Sequence, residues 1–526
     1  MPRLVYPELP LDSLLRRAAI RDPAGWAVRT GTGADSRTVT FAELDTQADR
    51  VAAYLEHTSG RRGVRVGVAN TLDPVFAAAY YGTVRSGNTV VLVNPLVKEA
   101  GLAHVFTTAA VEVAFVPTAT AELLLKLADR LPALRTVVVT DAPDGVVPGD
   151  ALPLAAALDS APERAALPGA VDLDGDACIQ FTTGTTGRPK GVRLTHRNLV
   201  ANAAQIAAAH HLGSDSVTLN HLPLYHVMHL NSAVYAGACQ VLCADPDPVA
   251  SLALAARVSA THYYGLPARL HVLAQDDRVT GEFPAGRSLT AVLSGGTALA
   301  PSVAGALSQR LGVPVVQGYG MAELSPLSHC QDLRSPKSGS VGPVVAGAEC
   351  RIVHLDSRTA LDVYSTGEVQ VRGPQVMAGY LDDTGPSPVD ADGWFTTGDV
   401  GYRTEDGALF LVDRLGDVFK YDNELVSPSA VEQVVSADPR VAECVVTGWP
   451  DPVHGAVVWL GIVLRDPLAP GLLDSIVEGA NERLTHFEQI RRVEVLEAVP
   501  RNHVGKPERG SLRQGIRSRA AAEGGL

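Results

Sequence analysis

A segment rich in glycine and threonine that ends in a lysine is the first candidate for chemistry. Residues 181–192 are FTTGTTGRPKGV. Glycines let backbone N–H groups converge on an anion, threonine hydroxyls add donors, and lysine adds a positive charge. The composition alone is also that of an ordinary turn. It is not a Walker A loop, because Pro189 stands where that motif requires its second glycine. We predict a polyphosphate-binding loop made of Thr182, Thr183, Gly184, Thr185, Thr186, Gly187 and Lys190.

A second candidate is the segment QGYGMAE at residues 317–323. Gly318 and Gly320 flank Tyr319, whose ring could stack on a purine. Glu323 follows as a lone carboxylate, and Mg²⁺ prefers one or two carboxylates together with phosphate oxygens. Taken alone, Glu323 fits a solvated loop acid better than a metal ligand. The segment as a whole predicts a site for a nucleotide and its metal.

Two more sets of polar residues accompany these motifs. Asp399 ends the turn FTTGD, where its carboxylate could accept both hydroxyls of a ribose with Arg414 in support. The alternative is a turn Asp and a linker Arg in a weak salt bridge. Histidines occur at 221, 226 and 229 without a cysteine or acidic partner at a metal-ligand spacing. We therefore predict that His226 and His229 line an organic substrate pocket.

The elements that must position these residues change in character along the chain. Up to about residue 340, short apolar runs such as Thr89–Val93 and Thr136–Thr140 alternate with helical patterns such as Phe41–Tyr54. This pattern predicts parallel sheets covered by helices. Residues 141–170 are rich in Pro, Ala and Asp and are predicted to be a connecting loop. After about residue 340, runs of alternating residues are separated by Gly-rich turns and predict antiparallel strands. A final α+β pattern begins near residue 431.

Composition limits the class of protein. The 526 residues are 46% hydrophobic and 19% charged, which excludes a mainly disordered chain. The net charge of −13 disfavours nucleic acid as a partner. The six cysteines form no C-x-x-C pair, and there is neither a signal-peptide core nor an apolar run of membrane-spanning length. We expect a cytoplasmic protein with no membrane partner.

Several segments together resemble one family. The chain resembles the ANL superfamily of adenylate-forming enzymes, which includes acyl-CoA synthetases, peptide-synthetase adenylation domains and luciferases. The resemblance covers nearly the whole chain, because eight signatures occur in the family's order. They are FTTGTTGRPKGV (181–192), HLPLYH (221–226), SGGTALA (294–300), QGYGMAE (317–323), GEVQVRGPQVMAGY (367–380), DGWFTTGD (392–399), LVDRLGDVFKYDNELVSPSAVE (411–432) and PRNHVGKPER (500–509).

The resemblance implies a fold and a domain plan. The fold is α/β, with a large N-terminal domain of layered α/β subdomains plus a β-rich subdomain, and a small mobile α+β C-terminal domain. The domains are an adenylation body at 1–413, a hinge at 414–417 and a mobile cap at 418–526. The cap is expected to rotate about the hinge between two reaction steps.

The resemblance also implies the reaction and its residues. A carboxylate attacks the α-phosphorus of ATP bound with Mg²⁺, giving acyl-AMP and pyrophosphate, and a nucleophile then displaces AMP. Lys506, Lys190, Glu323 and His226 are the expected catalytic residues, and Glu323 is the metal ligand. The expected nucleotide site comprises the phosphate loop with Gly296, Thr297, Gly318, Tyr319, Gly320, Met321, Asp399, Arg414 and Lys506, and the acid pocket comprises His226, His229, Tyr264, Gly295, Gly318 and Met321.

Two departures from the family pattern bear on catalysis. Ala322 stands where the family usually has Thr or Ser, so a hydroxyl that could bond a charged phosphate is missing. Such a bond contributes roughly 1.5–3 kcal/mol. At the hinge, Gly416 replaces the usual Asp or Lys, and glycine loosens a backbone. A nucleotide-binding protein that has lost catalysis is therefore a remote alternative to an enzyme.

A third departure concerns the acceptor of the acyl group. The family has K-Y-x-G in the segment for thioester formation, with the Gly against the pantetheine channel, and this chain has Lys420, Tyr421, Asp422 and Asn423. The Asn side chain would project toward the channel, and Asp422 and Glu424 add negative charge there. Our first hypothesis is an amine acceptor held or deprotonated by one of these acids, giving an amide. The alternative is neutral drift in an acid:CoA ligase, with CoA as co-substrate.

The remaining expectations concern partners. We expect a small carboxylic acid, and walls of His and Tyr favour an aromatic or cyclic one. Because the sequence carries no serine-centred phosphopantetheine site after the last motif, we expect no fused carrier domain.

Overall fold

The computed structural model describes residues 6–31, 36–162, 171–182, 189–221, 227–279, 288–381, 387–422, 424–465, 471–501 and 508–522. The chain divides into two compact units. Unit 1 comprises residues 1–350, 371–395 and 405–409, and unit 2 comprises residues 351–370, 396–404 and 410–526. The predicted division of the chain at 414–417 stays a prediction.

Strands in the described residues run through both units. In chain order they are β1 (Trp26–Thr30), β2 (Arg37–Thr40), β3 (Arg65–Ala69), β4 (Thr89–Val93), β5 (Val113–Val116), β6 (Thr136–Val139), β7 (Leu152–Pro153), β8 (Asp176–Thr182), β9 (Lys190–Thr195), β10 (Val217–Asn220), β11 (Cys239–Leu242), β12 (His262–Gly265), β13 (Ala291–Ser294), β14 (Val315–Gly320), β15 (Leu327–Cys330), β16 (Glu349–Val353), β17 (Gly367–Arg372), β18 (Gly379–Tyr380), β19 (Phe395–Arg403), β20 (Leu409–Arg414), β21 (Phe419–Tyr421), β22 (Glu424–Val426), β23 (Val441–Asp451), β24 (Gly455–Leu464) and β25 (Ile490–Val495).

Helices alternate with these strands through most of the chain. They are α1 (Ser13–Arg21), α2 (Phe41–Ser59), α3 (Pro74–Arg85), α4 (Glu99–Thr108), α5 (Thr118–Lys126), α6 (Leu154–Asp159), α7 (His196–Ala209), α8 (Met228–Ala236), α9 (Pro248–Arg257), α10 (Pro267–Gln275), α11 (Pro301–Leu311), α12 (Pro428–Ser436), α13 (Leu472–Asn481) and α14 (Arg509–Ala522).

Local sequence signals fix where several helices begin. Thr40 and Thr195 form capping boxes at the starts of α2 and α7, so side chain and backbone satisfy each other's donors. Asp73 caps α3 and Asp247 caps α9, and in each case a proline occupies the first helical position, where no N–H is needed.

Two eight-stranded sheets organise unit 1. Sheet I has the order β18-β9-β8-β4-β3-β5-β6-β7, and sheet II has the order β15-β14-β13-β12-β10-β11-β1-β2. The inner strands pair in parallel, as in β3 with β4 and β12 with β13, and antiparallel pairs lie toward the edges. The carboxyl ends of parallel strands meet at one edge of a sheet, which is where α/β proteins place ligands. The predicted parallel α/β organisation is confirmed.

Two smaller sheets complete the fold. Sheet III has the order β16-β17-β19-β20, and most of its residues belong to unit 2. Sheet IV has the order β22-β21-β24-β23, with β25 added parallel to β24. The core of sheet IV includes Val446, Trp459, Leu460 and Ile462 from its long hairpin, all at most 2% exposed. The α/β fold class with a large N-terminal part and a smaller α+β part agrees with this architecture.

Candidate active site

A carboxylate, a phenol and an ammonium group lie together in unit 1. The Tyr380 hydroxyl donates to Oε1 of Glu323 at 3.0 Å, and Nζ of Lys190 lies 4.7 Å from the centre of the Tyr380 ring. Glu323 is only 8% exposed, whereas Lys190 is exposed. The tyrosine therefore orients the buried carboxylate and supports the cation, so the group can hold a metal and neutralise phosphate charge. We call Lys190, Glu323 and Tyr380 the carboxylate cluster.

Backbone pairing explains why these three residues meet. Lys190 begins β9 and pairs with Thr182 of β8 across the phosphate segment, while Tyr380 pairs with Val192 two residues further along β9. Glu323 lies in the short 3-10 helix Ala322–Leu324 after β14, and its carbonyl accepts from the Met377 amide at 2.9 Å. Strand β18 thus brings Tyr380 close both to Lys190, at the end of the predicted phosphate-binding loop, and to Glu323, the predicted metal ligand. Sequence reasoning assigned no role to Tyr380, although it is the last residue of the signature GEVQVRGPQVMAGY.

The two segments predicted to hold adenine lie side by side. In β13 and β14, Ser294 pairs with Gln317 in parallel register, which brings the loop with Gly295, Gly296 and Thr297 beside the Gly318 backbone. Gly296 has φ +88°, a conformation suited to glycine. Gly320 is also required as glycine, because a Cβ there would overlap the carbonyl oxygen of Pro326.

Tyr319 is less accessible than the glycines on either side of it. Tyr319 is buried and lies 5.8 Å from the His329 ring, and Met321 is half-buried with its amide bonded to the Pro326 carbonyl at 2.9 Å. The structure brings Gly296, Thr297, Gly318, Tyr319, Gly320 and Met321 into one region of sheet II, and their role in holding adenine stays a prediction.

Two predicted acid-pocket residues are in direct contact. The His229 ring on α8 lies 4.2 Å from the Tyr264 ring on β12, and both residues are buried. The Tyr264 hydroxyl lies 2.9 Å from Nδ1 of His210. Burial lowers the pKa of His210 well below its ordinary value, with the neighbouring His229 adding to the shift, and burial raises the pKa of Tyr264. His210 is therefore neutral at neutral pH, and it is a member of this aromatic group that sequence reasoning missed.

The predicted ribose pair is formed within unit 2. Nε of Arg414 lies 2.7 Å from Oδ1 of Asp399, and the Asp399 side chain is 7% exposed against 45% for Arg414. The Thr397 hydroxyl accepts from the Asp399 amide at 3.1 Å. A carboxylate bonded to the guanidinium through Oδ1 still has lone pairs with which to accept hydroxyl donors.

The predicted hinge segment is hydrogen-bonded to a residue of helix α14. Arg513 donates both to the carbonyl of Gly416 and, at 2.7 Å, to Oδ1 of Asp417. A Cβ at Gly416 would meet nothing within 4 Å, and its φ is not in the left-handed region. The local fold therefore tolerates a side chain at position 416, and Arg513 is a partner of the predicted hinge segment that the sequence did not reveal.

The residues predicted for the acceptor step differ from one another in their contacts. Lys420 lies 3.5 Å from Oδ2 of Asp356, Asp422 is bonded to His454, and Glu424 begins β22 with an exposed side chain. Eight other predicted site residues lie outside the described residues, namely Thr183, Gly184, Thr185, Thr186, Gly187, His226, Asn423 and Lys506.

In the described part of the chain no group of three or more His, Cys, Asp or Glu side chains is arranged to hold a metal ion. Within the same ranges, every helix is too short or too polar to cross a lipid bilayer.

Comparison with family models and known sequences gives consistent matches. Residues 15–381 match the AMP-binding enzyme family, and residues 430–506 match its C-terminal domain. Rice 4-coumarate–CoA ligase 2 is 31% identical, with 98% of this chain and 93% of that protein aligned. Arabidopsis thaliana 4-coumarate–CoA ligase 3 is 29% identical, with 91% and 87% aligned.

Solved structures agree with the sequence matches. ATP-bound MatB from Rhodopseudomonas palustris superposes with a TM-score of 0.85 at 27% identity, covering 96% of this chain and 99% of that one. The anthranilate CoA ligase AuaEII, solved with anthranoyl-AMP, has the same fold, with a TM-score of 0.85 at 23% identity over 98% and 99% of the two chains. The protein is thus an adenylate-forming enzyme. The chain belongs to the AMP-binding enzyme family of the ANL superfamily and is an AMP-forming ligase.

Proposed function

We propose that the protein is an acid:CoA ligase, which activates a small carboxylic acid with ATP and transfers the acyl group to the thiol of CoA. The observation that carries the proposal is the carboxylate cluster, in which Tyr380 contacts both Glu323 and Lys190 at the end of the predicted phosphate-binding loop. Alignment with CoA ligases over almost the whole chain supports the choice of acceptor.

In the first step, the acid's carboxylate oxygen attacks the α-phosphorus of ATP, and pyrophosphate leaves. Lys190 would neutralise phosphate charge from its position on the Tyr380 ring, and Lys506 would do so at the attacking carboxylate. Asp399 and Arg414 would hold the ribose. The protein's contribution is positioning and electrostatic stabilisation, because phosphoryl chemistry needs little covalent help.

The carboxylate cluster fits a magnesium ion. Glu323 offers one buried carboxylate whose Oε1 is occupied by a neutral donor, which leaves Oε2 for a cation that takes its other ligands from phosphate and water. Mg²⁺ bound there would withdraw charge from the phosphate oxygens.

The structure bears on the two acceptors through Asp422. An amine acceptor was the first hypothesis because Asp422 and Glu424 could hold an ammonium group. The Asp422 carboxylate, whose side chain is 57% exposed, is already paired through Oδ1 with His454, and Glu424 is the other exposed acid of the segment. Together with the CoA ligases among the relatives, this favours the thiol over the amine.

The acid is proposed to be small and aromatic. The His229 and Tyr264 rings lie 4.2 Å apart with their planes tilted by 55°, and neutral His210 completes an aromatic surface without adding positive charge for a second carboxylate. The relatives named 4-coumarate–CoA ligases agree with this class.

A product screen tests the proposal. The protein is incubated with ATP, Mg²⁺ and a panel of aromatic and aliphatic acids, together with either CoA or a mixture of amines, and the products are identified by mass spectrometry. Acyl-CoA with equimolar AMP is expected. An amide without acyl-CoA would contradict the proposal, and absence of AMP with every acid would favour a non-catalytic nucleotide-binding protein.

The variant Asn423→Gly sharpens this screen. If CoA is the natural acceptor, the wild type already makes acyl-CoA and the variant changes its rate little. A gain of CoA turnover from none would show that the side chain excludes CoA. The six free cysteines fit the cytoplasmic location expected from the sequence, which stays a prediction.

A further inference from the structure

Two turns of sheet IV are joined by a histidine and an aspartate. Asp422 directly follows β21, His454 directly precedes β24, and the two strands pair at Tyr421 and Gly455. Nδ1 of His454 lies 3.0 Å from Oδ1 of Asp422, and the Asp422 amide donates to the His454 carbonyl at 2.9 Å. The pair is therefore bonded through both side chains and backbone.

The backbone around the pair is also specialised. Asp422 has φ +53°, a left-handed conformation that is uncommon for residues other than glycine, although Asp and Asn adopt it most readily. The carboxylate of Asp451 accepts from the His454 amide at 2.9 Å. The position of each side chain is thus set by its own turn as well as by its partner.

The imidazole is oriented by an aromatic neighbour. The His454 ring stacks on Tyr421 with ring centres 4.3 Å apart and planes 12° apart. Arg491 lies 4.7 Å from the centre of the same tyrosine ring and donates to its hydroxyl at 3.2 Å, and His486 meets that ring edge-on. Stacking and the bond to Asp422 together restrict the rotation of the imidazole.

One nitrogen of His454 remains for other chemistry. Because Nδ1 is bonded to Asp422, a neutral ring with its proton on Nδ1 presents Nε2 as a free acceptor, and no described residue bonds to it. The His454 side chain is 34% exposed, so a ligand can reach Nε2. A carboxylate on Nδ1 with an accessible Nε2 is the arrangement by which enzymes make a histidine a general base.

We propose that His454 is the general base of the acyl-transfer step and that Asp422 is its positioning residue. This inference rests on the proposed function and on the expectation from the sequence that the segment Lys420–Asp422 serves that step. A thiolate is the attacking species, yet a thiol with a pKa of about 8.5 is mostly protonated at neutral pH. A base beside the acceptor removes this limitation.

The step balances as follows. Nε2 of His454 takes the proton of the acceptor thiol, and the sulfur's electron pair forms a C–S bond at the acyl carbonyl carbon. The C–O bond of the mixed anhydride breaks, and AMP leaves with that electron pair on its phosphate oxygen. The imidazolium, stabilised by Asp422, then releases its proton to water.

The test separates the two half-reactions. Acid-dependent exchange of pyrophosphate into ATP reports the first step, and single-turnover formation of acyl-CoA from preformed acyl-AMP reports the second. The variants are His454→Gln, Asp422→Asn, which suits the left-handed backbone, and His486→Gln as the matched control. His486 contacts the same tyrosine but is bonded to no carboxylate in the described residues.

Loss of a general base predicts a specific pattern. In His454→Gln, acyl transfer at pH 7 falls about a hundredfold, which is the lower end of what general acid–base catalysis contributes. Pyrophosphate exchange and melting temperature do not change. The defect shrinks toward pH 9, where the thiol ionises by itself. Asp422→Asn shows a smaller defect of the same pH dependence, and His486→Gln behaves like the wild type.

The pH profile must be interpreted with the charges that face the imidazole. These are Asp422 and Asp451 from the two turns, and Arg491, Tyr421 and His486 on the tyrosine side. Hydrogen bonds from the His454 and Val453 amides lower the pKa of Asp451, so this carboxylate stays charged across the range tested.

Other outcomes would overturn the inference. Equal loss of acyl transfer at every pH, accompanied by a lower melting temperature, would show that the pair is only a clamp between two turns. Wild-type transfer by His454→Gln at pH 7 would also refute it. If the wild type makes an amide in place of acyl-CoA, the proposed function is wrong, and the same variants and pH profile then test the base with the amine as acceptor. If the wild type shows no pyrophosphate exchange, both proposals are wrong.

Discussion

Removal of the Tyr380 hydroxyl isolates the contribution of one hydrogen bond to the first half-reaction. Tyr380→Phe deletes the 3.0 Å bond to Glu323 but keeps the ring on which Lys190 lies. Because the acceptor is a carboxylate in a residue that is 8% exposed, the bond contributes roughly 1.5–3 kcal/mol. At about 1.4 kcal/mol for each factor of ten, this predicts about a tenfold to hundredfold loss.

The assay is acid-dependent exchange of labelled pyrophosphate into ATP across a range of Mg²⁺ concentrations. Tyr380→Phe should lower kcat/KM for ATP by that factor and raise the Mg²⁺ concentration needed for half-maximal rate. Tyr380→Leu removes the ring as well and should be a few-fold worse, because an exposed cation–π contact adds about 0.5–1 kcal/mol. The control Tyr263→Phe removes a comparable buried bond, to Ser251 at 2.7 Å, and should leave the exchange unchanged.

A double-mutant cycle gives the result that would refute this reasoning. If Tyr380 acts through Glu323, Glu323→Gln and Tyr380→Phe together should cost less than the sum of the two single effects. Strict additivity, or an unchanged Mg²⁺ requirement in Tyr380→Phe, would show that the tyrosine does not position the carboxylate.

Four further predictions concern acid stability, the ribose pair and two glycines. Burial lowers the pKa of His196 to about 4, whereas in the unfolded chain this histidine takes up a proton below about pH 6.5. The stability that the neutral histidine contributes is therefore fully present above pH 6.5 and is lost as the pH falls toward 4. His196→Gln should reduce the fall in melting temperature over this range by the equivalent of roughly 3 kcal/mol. Arg414→Gln leaves the buried carboxylate of Asp399 without its 2.7 Å partner and should raise KM for ATP in the exchange assay, whereas an unchanged KM would refute the ribose role. Gly320→Ala should abolish soluble folded protein because its Cβ would overlap a backbone carbonyl, and Gly305→Ala in helix α11, where nothing lies within 4 Å, should raise the melting temperature by an amount equivalent to about 1 kcal/mol.

Much of unit 1 could be predicted because its strands are short apolar runs. Thr89–Val93 was predicted as a strand and is β4 with the same bounds, and Thr136–Thr140 differs from β6 by one residue. The predicted loop at 141–170 was wrong in part, since it contains β7 and α6. β7 is two residues long and ends in a proline, which only an edge strand tolerates, so neither its length nor its composition distinguishes it from a loop.

The candidate site was predictable where one motif carries the chemistry. The neighbourhood of Gly296 and Gly318 follows from the order of strands β13 and β14, which pair in parallel. By contrast, Tyr380 reaches Glu323 only through the pairing of β18 with β9.

The histidine in the acceptor region could not be predicted. His454 lies 32 residues from Asp422, and no sequence pattern connects an isolated histidine in a turn to a distant aspartate. The contact arises from the register of β21 with β24 and from the left-handed backbone at Asp422. Such pairs depend on tertiary register, which local propensity does not encode.

The acyl-adenylate is the central claim, and an isotope experiment tests it most directly. An accepted acid is labelled with ¹⁸O in both carboxylate oxygens and converted by the enzyme with ATP and CoA, and the nucleotide product is analysed by mass spectrometry. Attack of a carboxylate oxygen on the α-phosphorus predicts one ¹⁸O atom in each AMP formed. Formation of ADP with label in inorganic phosphate, or AMP without label, would contradict the account.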